Sequence, residues 1–98
     1  EEKNPIPAEY KLEQNYPNPF NPSTIISFQL PKAGNVSLKV YDVLGREVAT
    51  FVDEFRNAGN YDVEFNPVSN IRHPASGVYF YQLKAGEFVE TKKMLLLK

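Results

Sequence analysis

Gly77-Val78-Tyr79-Phe80-Tyr81-Gln82-Leu83-Lys84-Ala85-Gly86, followed by Lys92-Lys93-Met94-Leu95-Leu96-Leu97-Lys98, decides the fold class of this chain. The first stretch is dense in aromatic and β-branched residues, which suit a pleated, half-buried surface. Gly86 can take the left-handed conformation of a tight turn, and residues 88–97 read as the returning strand, which stops at the final residue, Lys98. Residues 83–87 are expected to form a three-residue loop closed by that glycine. Nowhere do apolar residues hold a 3.6-residue period over three turns, so helix is expected only as a single turn within a loop.

Upstream, the same two-residue alternation recurs. Ile26, Phe28 and Leu30 alternate with Ser27 and Gln29, and Val36, Leu38 and Val40 alternate with Ser37 and Lys39; Pro31 and Gly34 mark a turn between them. At Asp42-Val43-Leu44-Gly45-Arg46 the aspartate can bond forward to a turn amide, and Gly45 takes the positive φ that closes a type I turn with a bulge. Residues 47–52 return as a strand, the polar stretch 53–59 reads as a connection, and Tyr61, Val63 and Phe65 alternate with Asp62 and Glu64. Residues 66–76, with two prolines, read as the longest loop. Residues 10–22 carry Pro17, Pro19 and Pro22, which cannot donate to a ladder, so any strand there lies at an edge. The expected fold is all-β, an antiparallel immunoglobulin-like β-sandwich of about seven strands, with Phe28, Val40, Val63 and Val78 in its core.

At 98 residues the chain reads as one domain, and its 42 % hydrophobic and 23 % charged composition is that of a globular protein. Residues 1–9, charged and interrupted by Pro5 and Pro7, read as a linker from an upstream domain, and residues 10–98 as the fold itself. The chain opens on Glu1 instead of methionine and so reads as a piece of a longer protein. A formal net charge of -1 with mixed signs leaves no footprint for nucleic acid. No run approaches the length of a membrane span, and no leader is visible. With no cysteine, thiolate chemistry, disulfides and cysteine metal sites are excluded.

Candidate chemistry is sparse. The one histidine, His73, stands beside Pro74 with no second histidine to complete a triad or a metal set. Asp42, Asp53, Glu54 and Asp62 are dispersed over turns and strand faces, and Ser23, Ser27, Ser37, Ser69 and Ser76 lack a nucleophile-elbow context. No catalytic residue, metal site, cofactor or small-molecule substrate is expected, and the chain is expected to be a monomer.

Three short motifs remain. In Tyr16-Pro17-Asn18-Pro19-Phe20 the prolines stiffen an edge, Asn18 is expected to bond local backbone, and the two flanking rings to close one end of the core; docking of the proline-rich segment in an aromatic groove is the functional rival. At the Asp42 turn, Val43 and Leu44 are apolar where hairpin tips are usually polar. They are expected to be covered, either by residues 10–22 or by a partner or upstream domain. The Met94-Leu95-Leu96-Leu97 run is too continuous for a strand with one wet face. Either both of its faces are buried, or it is presented to a receptor through its apolar face or its edge, with Lys92, Lys93 and Lys98 opposing self-association.

Together, and in this order, the three motifs resemble the type A C-terminal sorting domain of cargo proteins exported by the type IX secretion system. The resemblance covers about residues 10–98. It implies an immunoglobulin-like sandwich at the end of an exported protein, recognised by the outer-membrane translocation machinery and removed by a sortase-like surface endopeptidase, which often attaches the mature cargo to an anionic lipopolysaccharide. It places the export signal on Gly77, Tyr79, Leu83, Gly86, Lys93, Leu95, Leu96, Leu97 and Lys98, and matches Asp42, Gly45 and Arg46 to the middle motif. Passage through the periplasm to the cell surface or the medium follows, with cleavage in or before the linker. The fold also resembles the immunoglobulin-like module of flagellar hook-capping proteins, where no sorting is implied. The alternative function is a passive β-sandwich that supports a neighbouring catalytic domain; a spacer would gain nothing from a motif ending at Lys98.

Overall fold

The computed structural model describes residues 6–67 and 77–97. Seven strands pair antiparallel: β1 (Lys11–Leu12), β2 (Thr24–Leu30), β3 (Gly34–Tyr41), β4 (Glu47–Arg56), β5 (Gly59–Phe65), β6 (Gly77–Ala85) and β7 (Phe88–Leu96). One sheet has the order β1-β2-β5 and the other β4-β3-β6-β7. In immunoglobulin lettering this is A-B-E against C′-C-F-G, with the fourth strand pairing the third instead of the fifth.

The alternation in sequence becomes the core because side chains two apart share a face. Ile26, Phe28 and Leu30 of β2 meet Val36, Leu38 and Val40 of β3, Tyr79, Tyr81 and Leu83 of β6, and Met94 and Leu96 of β7, all buried between the sheets. Phe65 sits among three other rings, with centroids 5.8 Å from Phe20, 5.5 Å from Phe51 and 6.2 Å from Tyr79.

Several expectations are corrected. Val78 is half-buried on the outer face, because Tyr79 and Tyr81 take the inward positions of β6. Both faces of this strand are apolar in sequence, so alternation alone could not choose between them. Val63 is also only half-buried, packed against the core from edge strand β5. Residues 53–56 are not a connection: β4 runs on to Arg56 at the edge of its sheet, where polar side chains are tolerated on both faces. The β6–β7 turn is shorter than expected, since Ala85 pairs Phe88 and leaves Gly86 and Glu87 as a two-residue loop. Gly86 has φ of 61° and Glu87 is not at positive φ, the pattern of a type II′ turn with glycine first. The effect is to lengthen both strands and bury Ala85. His73, Ser69, Ser76, most of the loop expected at 66–76, the first residues of the linker and Lys98 lie outside the described residues.

Candidate recognition surface

The first and third motifs are far apart in sequence and meet in space. After β1 the chain stays on β2, where the Glu13 N–H donates to the Ser27 carbonyl at 2.9 Å and Tyr16 and Ile25 exchange both backbone bonds. It then crosses to the other sheet. The Phe20 N–H donates to the Leu95 carbonyl and the Leu97 N–H to the Phe20 carbonyl, both at 2.9 Å, in a parallel bridge centred on Leu96. Residues 10–20 thus start on one sheet and finish on the other, closing the side of the sandwich.

Pro17 and Pro19 have no N–H for this crossing, and side-chain amides act in their place. Gln14 Nε2 donates to the Lys93 carbonyl at 2.8 Å, and the Leu95 N–H donates to Asn18 Oδ1 at 3.0 Å. Asn18 therefore bonds the last strand, not the local backbone. Only Phe20 closes the end of the core; the Tyr16 ring is 79 % exposed, which corrects the expectation that both rings are buried.

The crossing segment is pinned from beneath by Tyr81, whose hydroxyl donates to the Glu13 carbonyl at 2.7 Å and accepts from the Asn15 N–H at 2.8 Å. Asn15 and Thr24, both buried, complete the joint: Asn15 Nδ2 donates to Thr24 Oγ1 and to the Pro17 carbonyl at 3.1 Å, and Thr24 Oγ1 donates to that carbonyl at 2.8 Å. No buried side-chain polar atom among the described residues lacks a partner. Tyr81, Gln14, Asn15 and Thr24 were not singled out in the sequence. The available signals were a tyrosine at a core position, whose hydroxyl must find a partner, and amide side chains beside prolines that cannot donate.

β7 divides its apolar run by parity. Met94 and Leu96 point inward and are buried, whereas Lys93, Leu95 and Leu97 face outward, Leu95 half-buried and Leu97 50 % exposed. Gly77 opens β6 opposite Leu96, Tyr79 pairs Met94, and Leu83 pairs Glu90 with its side chain buried. Asn18, Pro19, Val78, Lys93 and Leu95 line a groove on this outer face.

The middle motif borders the same face. Gly45 N–H donates to the Asp42 carbonyl and Asp42 N–H to the Arg46 carbonyl, both at 3.0 Å, and Gly45 takes φ of 81°, as the three-residue turn requires. Asp42 Oδ1 accepts from the Leu44 and Arg46 amides at 2.9 and 3.0 Å, and Oδ2 from Arg46 Nε at 2.8 Å. Val43 and Leu44 are 66 % and 73 % exposed, so residues 10–22 do not cover them. Tyr41, Asp42, Val43 and Gly45 instead line a hollow with Phe80, Gln82 and Thr91. Asp42, Gly45 and Arg46 are thus explained locally by the hairpin, and Val43 and Leu44 are its displayed residues.

A model of the secretion system C-terminal sorting domain matches residues 14–97, a span that takes in all three motifs. The chain belongs to this family. Comparisons with curated proteins and with solved structures returned no match. The sorting domain is a C-terminal export signal of type IX secretion, implying attachment to a cargo and delivery across the outer membrane to the surface or the medium; the family is not one of enzymes.

In the sorting domain the Arg46 amide, then the Arg46 guanidinium and the Leu44 amide, hold the Asp42 carboxyl below its ordinary value, against a partial opposing effect of desolvation. A depressed carboxylate supports the folded hairpin above the unfolded group's pKa, and this support disappears as pH falls through the folded value. In an acid titration followed by NMR, the Leu44 and Arg46 amide shifts are expected to move with a midpoint below that of an ordinary aspartate. They should not titrate in Asp42→Ala.

Proposed function

We propose that the export machinery reads this domain on the outer face of the β6–β7 hairpin, through Lys93, Leu95 and Leu97, with the displayed Val43 and Leu44 beside them. A sortase-like surface endopeptidase then removes the domain by cutting in or before residues 1–9, after a monomeric passage through the periplasm with the cargo attached. Of the residues matched to the family's signal, Gly77, Tyr79, Leu83, Gly86 and Leu96 build the hairpin and its packing. The observation that carries this reading is the division of β7: Met94 and Leu96 account for the core, and Leu95 and Leu97 remain as apolar side chains without a folding role that requires them. Lys98, next to Leu97, belongs to the same proposed end of the signal.

Truncating residues 96–98 would be a poor test, because Leu96 is 3 % exposed and its loss damages the core. The double variant Leu95→Ser/Leu97→Ser leaves that packing in place, and substitutions outside the core typically change stability by only about 0.5 kcal/mol. Fused to a reporter in a host with type IX export, it is expected to lose surface delivery while its melting curve stays near that of the unaltered domain. Surface delivery at the unaltered level would refute recognition through these side chains and favour a passive sandwich.

A further inference from the structure

The outer edge of β7 has two differently guarded halves. Near its end, the Lys93 carbonyl, both backbone groups of Leu95 and the Leu97 N–H point away from β6 and bond to Gln14, Asn18 and Phe20. The β6–β7 register runs without a bulge, so the two-residue repeat turns the N–H and C=O of Val89 and Thr91 to the same side. No strand pairs there, and no backbone group among the described residues bonds to them. Facing inward along this open half are not apolar side chains but Glu90 and Lys92, paired at 3.3 Å. Inward charge on an edge strand is a known device against indiscriminate pairing.

We infer that the edge of β7 from Val89 to Leu95 is a strand-addition site, and that its occupant is an extended segment of the export machinery. This rests on the proposed reading of the β6–β7 hairpin by that machinery and adds the manner of engagement. The site commits to an extended chain because only another backbone presents donors and acceptors at the spacing of a strand edge. Open rungs at Val89 and Thr91 give the incoming strand its first bonds. It then continues to Lys93 and Leu95, where it displaces only two amide side chains, Gln14 and Asn18, both exposed. The addition stops at Phe20, whose buried ring and two backbone bonds hold the crossing segment in place. Those two amides thus act as light covers over an acceptor edge, set where prolines prevent the crossing segment from forming a full ladder of its own.

Amide hydrogen exchange on the isolated domain tests the geometry. The Val89 and Thr91 amides are expected to exchange rapidly, and Gln14→Ala/Asn18→Ala is expected to speed exchange at Leu95 by about tenfold, the equivalent of one hydrogen bond. Protected Val89 and Thr91 amides in the monomer would overturn the inference. So would an edge-to-edge dimer under the same conditions, which would make a second copy the occupant. In the export assay, Thr91→Pro removes an outward N–H and is expected to abolish surface delivery, while Gln14→Ala/Asn18→Ala is delivered at least as well as the unaltered domain. If Thr91→Pro disrupts the melting curve, Val89→Pro, close to the start of the strand where proline is better tolerated, takes its place. Normal delivery of the folded proline variant, with delivery lost in Leu95→Ser/Leu97→Ser, would overturn strand addition and leave the recognition surface standing. Normal delivery of both would overturn both.

Discussion

Phe65→Ala is expected to destabilise the domain by about 3 to 5 kcal/mol, the range for removing a fully buried aromatic ring. The Phe65 side chain is 0 % exposed and touches rings from three otherwise separate parts of the chain: Phe20 of the proline-rich motif, Phe51 of β4 and Tyr79 of β6. Its loss therefore removes transfer free energy and leaves a cavity between the two sheets that neighbouring strands, tied by their ladders, cannot fill. Small domains have total stabilities of about 5 to 15 kcal/mol, so this one change consumes a large part of the margin. Denaturant unfolding measures it directly, and Phe55→Ala is the control. Phe55 is 60 % exposed, and its truncation is expected to change stability by no more than about 0.5 kcal/mol. Equal effects from the two would mean that the inter-sheet register is wrong.

Tyr81→Phe is expected to cost about 1 to 3 kcal/mol despite removing a single oxygen atom, because two backbone groups lose their partner where water does not replace it. The Glu13 carbonyl loses its donor and the Asn15 N–H its acceptor, in the joint that carries the chain from one sheet to the other. The hydroxyl is also a pH handle. Burial, with smaller contributions from the Glu90 and Glu13 carboxylates and against the stabilising Asn15 amide, pushes Tyr81 from 10.0 up to about 12. Between these values the unfolded chain releases a proton that the folded chain keeps. The associated stability is complete below the unfolded value and is lost as pH rises through the folded one. Unfolding curves across this alkaline interval should fall less steeply for Tyr81→Phe than for the unaltered domain. Parallel curves would show that the Tyr81 hydroxyl is not buried in the joint.

The hairpins were legible because each rests on neighbours in sequence. Alternation set the inward faces of β2 and β3, and Asp42 and Gly45 specified their turn through local bonds and one positive φ. The turn at Gly86 was located correctly but its length was not, since a glycine suits both a three-residue loop and a type II′ turn. Where a strand is apolar on both faces, as at Val78 to Tyr81, a two-residue period has no preferred phase. The inward side was decided by which ring could satisfy its hydroxyl against Glu13 and Asn15.

The order of the three motifs was sufficient to suggest the family, and the match over residues 14–97 bears out that suggestion. Their joint surface was not readable, because it is made by contacts between residues about eighty positions apart, such as Gln14 with Lys93 and Asn18 with Leu95. The sequence by itself determined an all-β chain, the positions of most of its strands and turns, and the motifs of a sorting domain, since these depend on local propensity and on side-chain period. Only the tertiary structure decided which leucines of β7 are core and which are displayed, and that the proline-rich motif bonds the last strand. Those outcomes follow from the packing of one sheet on the other and from the demand that every buried polar group find a partner, conditions that no short window of sequence contains.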